Sequence, residues 1–291
     1  MSTTVVTAFY PFEKSKHTIQ EYITWIYNFL TNVDTPIVLF TDNPFCQIVS
    51  RMRDEAGLTD KIHIIQKPFD EVKFSSPEWI ATWNKQLEID SLAHLHNHEL
   101  FRVWANKPFF VEEAIQLNPF QSDTFAWCDA GCWRDPTVAK LCGPGWPATE
   151  KIISNHMHII TVNSMRSFLQ QLVSKDIWTH EDVVKDINVR DQAIVGGTIL
   201  LGDKQAWSQW IPAFEASLNL YIQNNLFAGD DQAVISSTVL WLRTSNPEVA
   251  PILYDAPKQN HFFILDGVHM GDLWFAFQQH FSKHDFKLTT Y

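Results

Sequence analysis

The chain has 291 residues, 45% of them hydrophobic and 19% charged, and its 22 Lys and Arg against 33 Asp and Glu give a formal net charge of −11. At ~150 residues per domain this length holds one large α/β domain or two small ones, and the acidic balance excludes a general nucleic-acid grip, which needs clustered Lys and Arg. No stretch reaches the ~20 apolar residues of a membrane span. The opening Met1-Ser2-Thr3-Thr4 lacks the basic and apolar regions of a secretory signal. Four cysteines, Cys46, Cys128, Cys132 and Cys142, make no disulfide scaffold at this length. A soluble, cytoplasmic protein with reduced thiols is expected.

Val5-Val6-Thr7-Ala8-Phe9-Tyr10 reads as a first strand, apolar and β-branched. After a polar stretch, Ile19, Tyr22, Ile23, Ile26, Tyr27, Phe29 and Leu30 recur at helical spacing. Pro36 ends that helix ahead of a second strand, Ile37 to Phe40, which closes at Thr41-Asp42, so the three elements make a βαβ unit. Ile48 to Ala56 predicts a helix and Lys61 to Gln66 a third strand. Residues 68–97, with Pro77, Trp79 and Trp83, read as a loop carrying a short helix. Glu99 to Leu117 is helical in pattern, with Pro108 kinking or splitting it. Asn118-Pro119 ends it before the apolar run Phe125-Ala126-Trp127-Cys128. Gly143-Pro144-Gly145-Trp146-Pro147 marks a loop. Ile159 to Val162 and Ala193 to Gly202 predict strands, the second with a glycine break. Lys204 to Asn224, interrupted at Pro212, and Ala233 to Leu242 predict helices. Alternating strands and helices imply an α/β fold, a mostly parallel central sheet flanked by helices. No repeat, linker or shift in composition divides it, so one continuous domain is expected.

Several places could carry chemistry. Trp127-Cys128-Asp129-Ala130-Gly131 ends a buried strand in a carboxylate and two small residues. Buried charge is costly unless paired or metal-bound, ligands of open α/β sheets collect beyond the carboxyl ends of the strands, and small residues admit a close approach. A simple Asp-Ala-Gly turn is the plainer alternative. Lys107, beside Pro108, can point at the sheet edge and meet a diphosphate as a point charge. Arg102, five residues earlier, does not share its helix face, and a solvated helix face accounts for both charges equally simply. Gly196-Gly197 beside a strand marks the close approach of a ligand or another backbone, without a dinucleotide fingerprint. Asp230-Asp231 at a helix start suits catalysis or capping. His269 offers an imidazole to a metal held by carboxylates, or is a loop residue. His94, His96 and His98 alternate, but in a polar stretch leading into a helix they weigh little as a metal site. Most of the 12 tryptophans belong in the core. There is no G-x-S-x-G elbow, H-E-x-x-H helix or Walker loop.

Taken in order, Val5 to Tyr10, Tyr22-Ile23-Thr24-Trp25, Pro36 to Asp42, Glu99 to Lys107, Asn118-Pro119-Phe120, Trp127 to Gly131, Gly196-Gly197 and Gly229-Asp230-Asp231-Gln232 resemble the HtrL/YibB (WlaTC) family, a bacterial and viral group classed as candidate glycosyltransferases. More widely the chain resembles GT-A glycosyltransferases. The resemblance implies a single GT-A-like (Rossmann-like) domain over 1–291, with 1–135 as the nucleotide-sugar-binding half and 136–291 as the acceptor-binding half. It implies transfer of a sugar from a nucleotide-sugar donor to a glycan, a lipid-linked saccharide or another hydroxyl acceptor, with Mn²⁺ or Mg²⁺ as cofactor. Asp129-Ala130-Gly131 stands where such enzymes carry Asp-x-Asp, with Gly131 replacing the second acid. Asp129 and His269 are then the implied metal ligands, or Lys107 or Arg102 supplies the positive charge without a metal.

By the same resemblance Thr7, Ala8, Phe9, Tyr10 and Asp42 would hold the nucleoside, and Arg102, Lys107, Asp129, Ala130 and Gly131 the rest of the donor. Gly196 and Gly197 would make room for the donor sugar or acceptor. Asp230 or Asp231 would act as the base, or else stabilise the sugar cation or orient the acceptor. Two other readings stand beside this one: a non-catalytic sugar-nucleotide or glycan-binding protein on the same fold, and a glycoside hydrolase using paired carboxylates. The βαβ opening and the order of the motifs argue against the hydrolase.

Overall fold

The alternation in Thr3–Phe9 (β1) sends Val5 and Phe9 to one face of a sheet and Val6 and Ala8 to the other, and every residue of the strand is buried. Strands buried on both faces need helices on both sides. The structure, a computed structural model, describes residues 2–12, 17–162, 179–190, 195–255, 263–265, 268–270, 273–285, 288 and 290, with backbone alone at 188–190, 263–265, 268–270 and 273–274. Beside β1 lie Ile37–Thr41 (β2) and then Ile62–Gln66 (β3); on its other side is Thr124–Cys128 (β4). Beyond β4 come Val195–Asp203 (β6), His158–Thr161 (β5) and Ile252–Tyr254 (β7), giving the order β3-β2-β1-β4-β6-β5-β7. β6 runs antiparallel to both its neighbours, and the other pairings are parallel. This is the expected α/β fold, an open and mostly parallel seven-stranded sheet flanked by helices. Phe263–Leu265 (β8) and Val268–Met270 (β9) pair as a separate antiparallel hairpin.

One face of the sheet is covered by Ile19–Asn32 (α1), Asn43–Glu55 (α2), Pro136–Cys142 (α5) and Leu273–His280 (α9), which contribute Phe29, Val49, Val138 and Phe277 to a single apolar cluster. The opposite cluster is built from Pro77–Ile89 (α3), His98–Leu117 (α4), His180–Arg190 (α6), Lys204–Gln223 (α7) and Asp231–Ser245 (α8), through Trp83, Phe110, Val183, Trp210 and Val239. Cys46, Cys128, Cys132 and Cys142 are free thiols. Among the described residues no helix is long and apolar enough to cross a membrane.

Where local signals and structure differ, packing explains the difference. α4 and α7 run unbroken through Pro108 and Pro212. Each proline removes one ladder hydrogen bond, but buried side chains on both sides of it, Lys107 and Phe109 in α4 and Ile211 and Ala213 in α7, hold each helix against the core. The weakly patterned stretch 68–97 contains α3, started by Ser76, whose hydroxyl accepts from Trp79 N, with Pro77 in the first turn. α2 begins at Asn43, ahead of the expected Ile48, because Pro44 is pre-set for a first helical turn. The glycine break in β6 does not end the strand. It is a slip in pairing with β5: Ile159 faces Leu200, but Thr161 faces Val195.

Candidate functional site

From β1 the chain moves to one side of the sheet, to β2 and β3; from β4 it moves to the other. The carboxyl ends of β1 and β4 therefore flank a topological switch point, where open α/β sheets bind ligands. A cavity of about 370 Å³ opens there. Ala8, Phe9 and Tyr10 line it from the end of β1, and Asp129, Ala130 and Gly131 from the end of β4. One face of α4 supplies Leu100, Val103, Trp104 and Lys107, spaced three and four apart as a helix stripe requires.

Lys107 is the centre of the site. Its ammonium lies 3.0 Å from Asp129 Oδ1 and 2.7 Å from Asp231 Oδ2, with only 2% of the side chain exposed. It also donates to the Gly197 carbonyl at 3.0 Å. Four segments far apart in sequence meet on this one group. Trp127 Nε1 donates to Asp129 Oδ1 at 2.7 Å, which fixes the carboxylate at the end of β4. Gly197 reaches the ammonium because β6 bulges at Gly196–Thr198, and Asp129 N closes the gap by donating to Thr198 O at 2.9 Å. No larger residue fits at 197, since a Cβ there would stand 2.5 Å from Asp231 Oδ2. Asp231 is the first residue of α8, and Asp230 is its N-cap, accepting from Gln232 N at 2.9 Å.

Burial by itself would lower the Lys107 pKa, but Asp129 and Asp231 more than offset it, so the lysine is held firmly cationic. All three acids are pushed above the usual carboxylate range. Burial is the main cause at Asp129, where Lys107 acts in the opposite direction and Asp231 adds to the rise. Burial dominates again at Asp231 and Asp230, and the two neighbouring carboxylates repel each other's charge at Asp231. Three carboxyls thus share one buried lysine as their nearby counter-charge. Asp129 is 29% exposed toward the cavity; Oδ1 meets both Trp127 and Lys107, whereas Oδ2 meets Lys107 alone and keeps acceptor capacity. It fits a divalent ion of the kind held by one carboxylate together with phosphate oxygens. Among the described residues no group of three or more His, Cys, Asp and Glu is disposed to hold a metal unaided. The side chain of His269, the other expected ligand, lies outside the described residues.

Of the expected donor residues, Ala8, Phe9, Tyr10, Lys107, Asp129, Ala130 and Gly131 line the cavity, as do Gly197, Asp230 and Asp231. Thr7, Asp42, Arg102 and Gly196 are placed elsewhere. Thr7 sits on the opposite face of β1, beside Val5 and Phe9, fully buried. Asp42 accepts from Phe69 N at 3.1 Å and so anchors the turn after β3. Arg102 is buried and donates to Ser75 Oγ, Phe69 O and Asp70 Oδ1, with its guanidinium 4.1 Å above the Phe69 ring. It shapes the cavity wall at one remove, because Phe69 packs on Tyr10 at 4.8 Å. Gly196 admits the close approach of Ile160, 3.2 Å from where its Cβ would be. Gly131 has a similar role: a Cβ there would meet Tyr22 at 2.9 Å, so the place of the expected second acid is filled by an aromatic ring.

Sequence reasoning passed over other lining residues. Arg134 reaches the cavity with its Nε donating to Gly131 O at 3.2 Å and its guanidinium 4.6 Å over Trp25. Its place five residues after Asp129, just past a turn, is the signal that could have found it. His96 also lines the cavity, its ring against Trp104 at 5.3 Å. It belongs to the alternating histidine run, whose metal reading concealed it.

No curated protein matches the chain. The family match stops at residue 249, before β7, the β8–β9 hairpin and α9, and takes in every cavity residue described above. Because residues 1–249 match the model of the family described as "Bacterial protein of unknown function (HtrL_YibB)", the chain belongs to that family.

Proposed function

We propose that this protein is a glycosyltransferase that moves a sugar from a nucleotide-sugar to a hydroxyl of a glycan or lipid-linked saccharide. The observation that carries the reading is the Lys107–Asp129–Asp231 cluster on the floor of a cavity at the β1–β4 switch point. Such a crevice suits a nucleotide. The backbone ends of β1 and the Tyr10 side line a wall against which a nucleoside can lie, and Arg134 stands at the cavity as a cation for phosphate.

Transfer breaks the bond between the anomeric carbon and the diphosphate, so negative charge grows on the leaving oxygen. A divalent ion, Mn²⁺ or Mg²⁺, would be held by Asp129 and would neutralise that charge. Lys107 and the Trp127 indole hold the Asp129 carboxylate in one orientation for it. Asp231 keeps Lys107 in place, and Asp230, at the cavity wall, can accept a hydrogen bond from the acceptor hydroxyl. A cytoplasmic location suits the buried thiols Cys128, Cys132 and Cys142, which persist where the compartment is reducing.

The test is nucleotide release from a panel of nucleotide-sugars, with and without Mn²⁺. Turnover of one donor, lost in Asp129→Asn, is expected. Binding of a nucleoside diphosphate with no turnover of any donor would instead favour a non-catalytic sugar-nucleotide-binding protein.

A further inference from the structure

We propose that His96, oriented by Asp90, is the general base that takes the proton of the acceptor hydroxyl. The inference rests on the glycosyl-transfer reading and names a catalytic group within it. His96 Nδ1 lies 2.8 Å from Asp90 Oδ2, and the Asp90 side chain is 1% exposed. The other oxygen, Oδ1, accepts from Leu92 N at 2.8 Å, so both Asp90 oxygens are engaged and the carboxylate cannot rotate freely. An ionised carboxylate only accepts, so Nδ1 carries a proton, and in the neutral imidazole the lone pair is then on Nε2. Among the described residues Nε2 has no hydrogen-bond partner, and the ring lines the cavity.

The local chain is built to hold that pose. His96 N donates to Leu92 O, and Asn97 immediately afterwards caps α4, its side chain accepting from Leu100 N at 2.9 Å. The ring packs edge-on against Phe101 and Trp104. Trp104 is one turn before Lys107 on the same helix stripe, so the imidazole and the ammonium open onto one cavity. Two described histidines elsewhere differ in kind. His158 has both ring nitrogens bonded within the fold, and His180 is spent on Ser217 and stacked on Trp241.

The two acids of the site are less suited to the task. Asp231 is held by Lys107, and one Asp230 oxygen is committed to the helix cap. In the proposed step the acceptor O–H proton passes to His96 Nε2 while the acceptor oxygen bonds to the anomeric carbon. The bond from that carbon to the diphosphate breaks, its electron pair leaving on the phosphate oxygen. Asp90 stabilises the imidazolium, which afterwards returns its proton to water.

The decisive variant is His96→Asn, whose amide can still donate to Asp90 but cannot take a proton. Nucleotide release from the wild-type donor panel with Mn²⁺ is compared with that of His96→Asn and Asp90→Asn. The expected result is a fall in kcat of about 100-fold or more for His96→Asn, with donor KM, nucleoside diphosphate affinity and melting temperature unchanged. Asp90→Asn, a change at a positioning residue, should lower kcat at least tenfold at unchanged donor KM. If His96→Asn keeps kcat within threefold, the base is elsewhere and glycosyl transfer stands. If the wild type releases nucleotide from no donor, both readings fall together. Should the variants not fold, nitrogen-15 spectra of the wild-type His96 ring decide: an Nδ1–H tautomer supports the dyad and an Nε2–H tautomer overturns it.

Discussion

A Cβ on Gly197 would lie 2.5 Å from Asp231 Oδ2, the oxygen that pairs with Lys107. Ile235 closes the other side at 2.9 Å from the same point, so the carboxylate has nowhere to go except away from the ammonium. Gly197→Ala should therefore destabilise the protein by roughly 1–3 kcal/mol, the usual range for an overpacked site. Urea unfolding measures this, and calorimetry should show weaker nucleoside diphosphate binding in the same variant.

Removing the cation should cost more. Lys107→Met leaves Asp129 and Asp231 facing each other without a counter-charge, a loss of about 3–5 kcal/mol by analogy with broken buried ion pairs. The pH response gives a second check. Without Lys107 the two carboxyls have folded pKa values raised still further above their unfolded values, so the folded state binds the extra protons. Stability of the variant should then fall as pH rises from 5 to 7, and acidification should recover part of the loss.

How much of this was legible beforehand varies by residue. Asp129 and Lys107 stood out because a charge at the end of a buried strand, or beside a helical proline, needs a partner. Their pairing with each other did not, since it depends on how α4 packs across the end of β4, which local pattern does not reveal. Arg102 was singled out by charge alone, yet five residues turn it away from Lys107, into a clamp on Phe69, Asp70 and Ser75. The order of strands and helices was readable from periodicity, whereas α3 was obscured by its weak pattern and Pro108 misled because packing outweighs one missing hydrogen bond. Local patterns carry the elements; contacts across 90 or more residues, such as Lys107 with Gly197, carry the site.

Metal dependence is separable from activity. Calorimetric binding of a nucleoside diphosphate should tighten at least tenfold when Mn²⁺ is added, and Asp129→Asn should abolish the difference while leaving the circular dichroism spectrum intact. Binding that ignores Mn²⁺ would instead leave Arg134 as the cation that meets the diphosphate.

His158 offers a prediction remote from the cavity. It is fully buried, with Nδ1 2.6 Å from the Tyr254 hydroxyl and Nε2 accepting from Ile153 N. Burial pulls its pKa from 6.5 down to about 4. Below pH 6.5 the unfolded chain takes up a proton that the folded chain refuses, so stability is full above that value and declines as pH falls toward 4. At ~1.36 kcal/mol per unit, His158 alone should remove about 2 kcal/mol between pH 6.5 and 5. In denaturant titrations the wild type should lose about that much more unfolding free energy between the two pH values than His158→Gln does.

The meeting of four distant segments on one ammonium also bears on how the sheet avoids mispairing. A slip of β6 by a single residue against β4 would turn the neighbouring carbonyl away from Lys107 and bring a side chain toward Asp231. The misaligned form would bury a cation with too few acceptors, which is among the most expensive defects a protein interior can hold. Lys107 thereby acts as a proofreader of strand register. A β-strand that joins the sheet against the prevailing direction, with two glycines at its head, is accepted only in the alignment that completes the site.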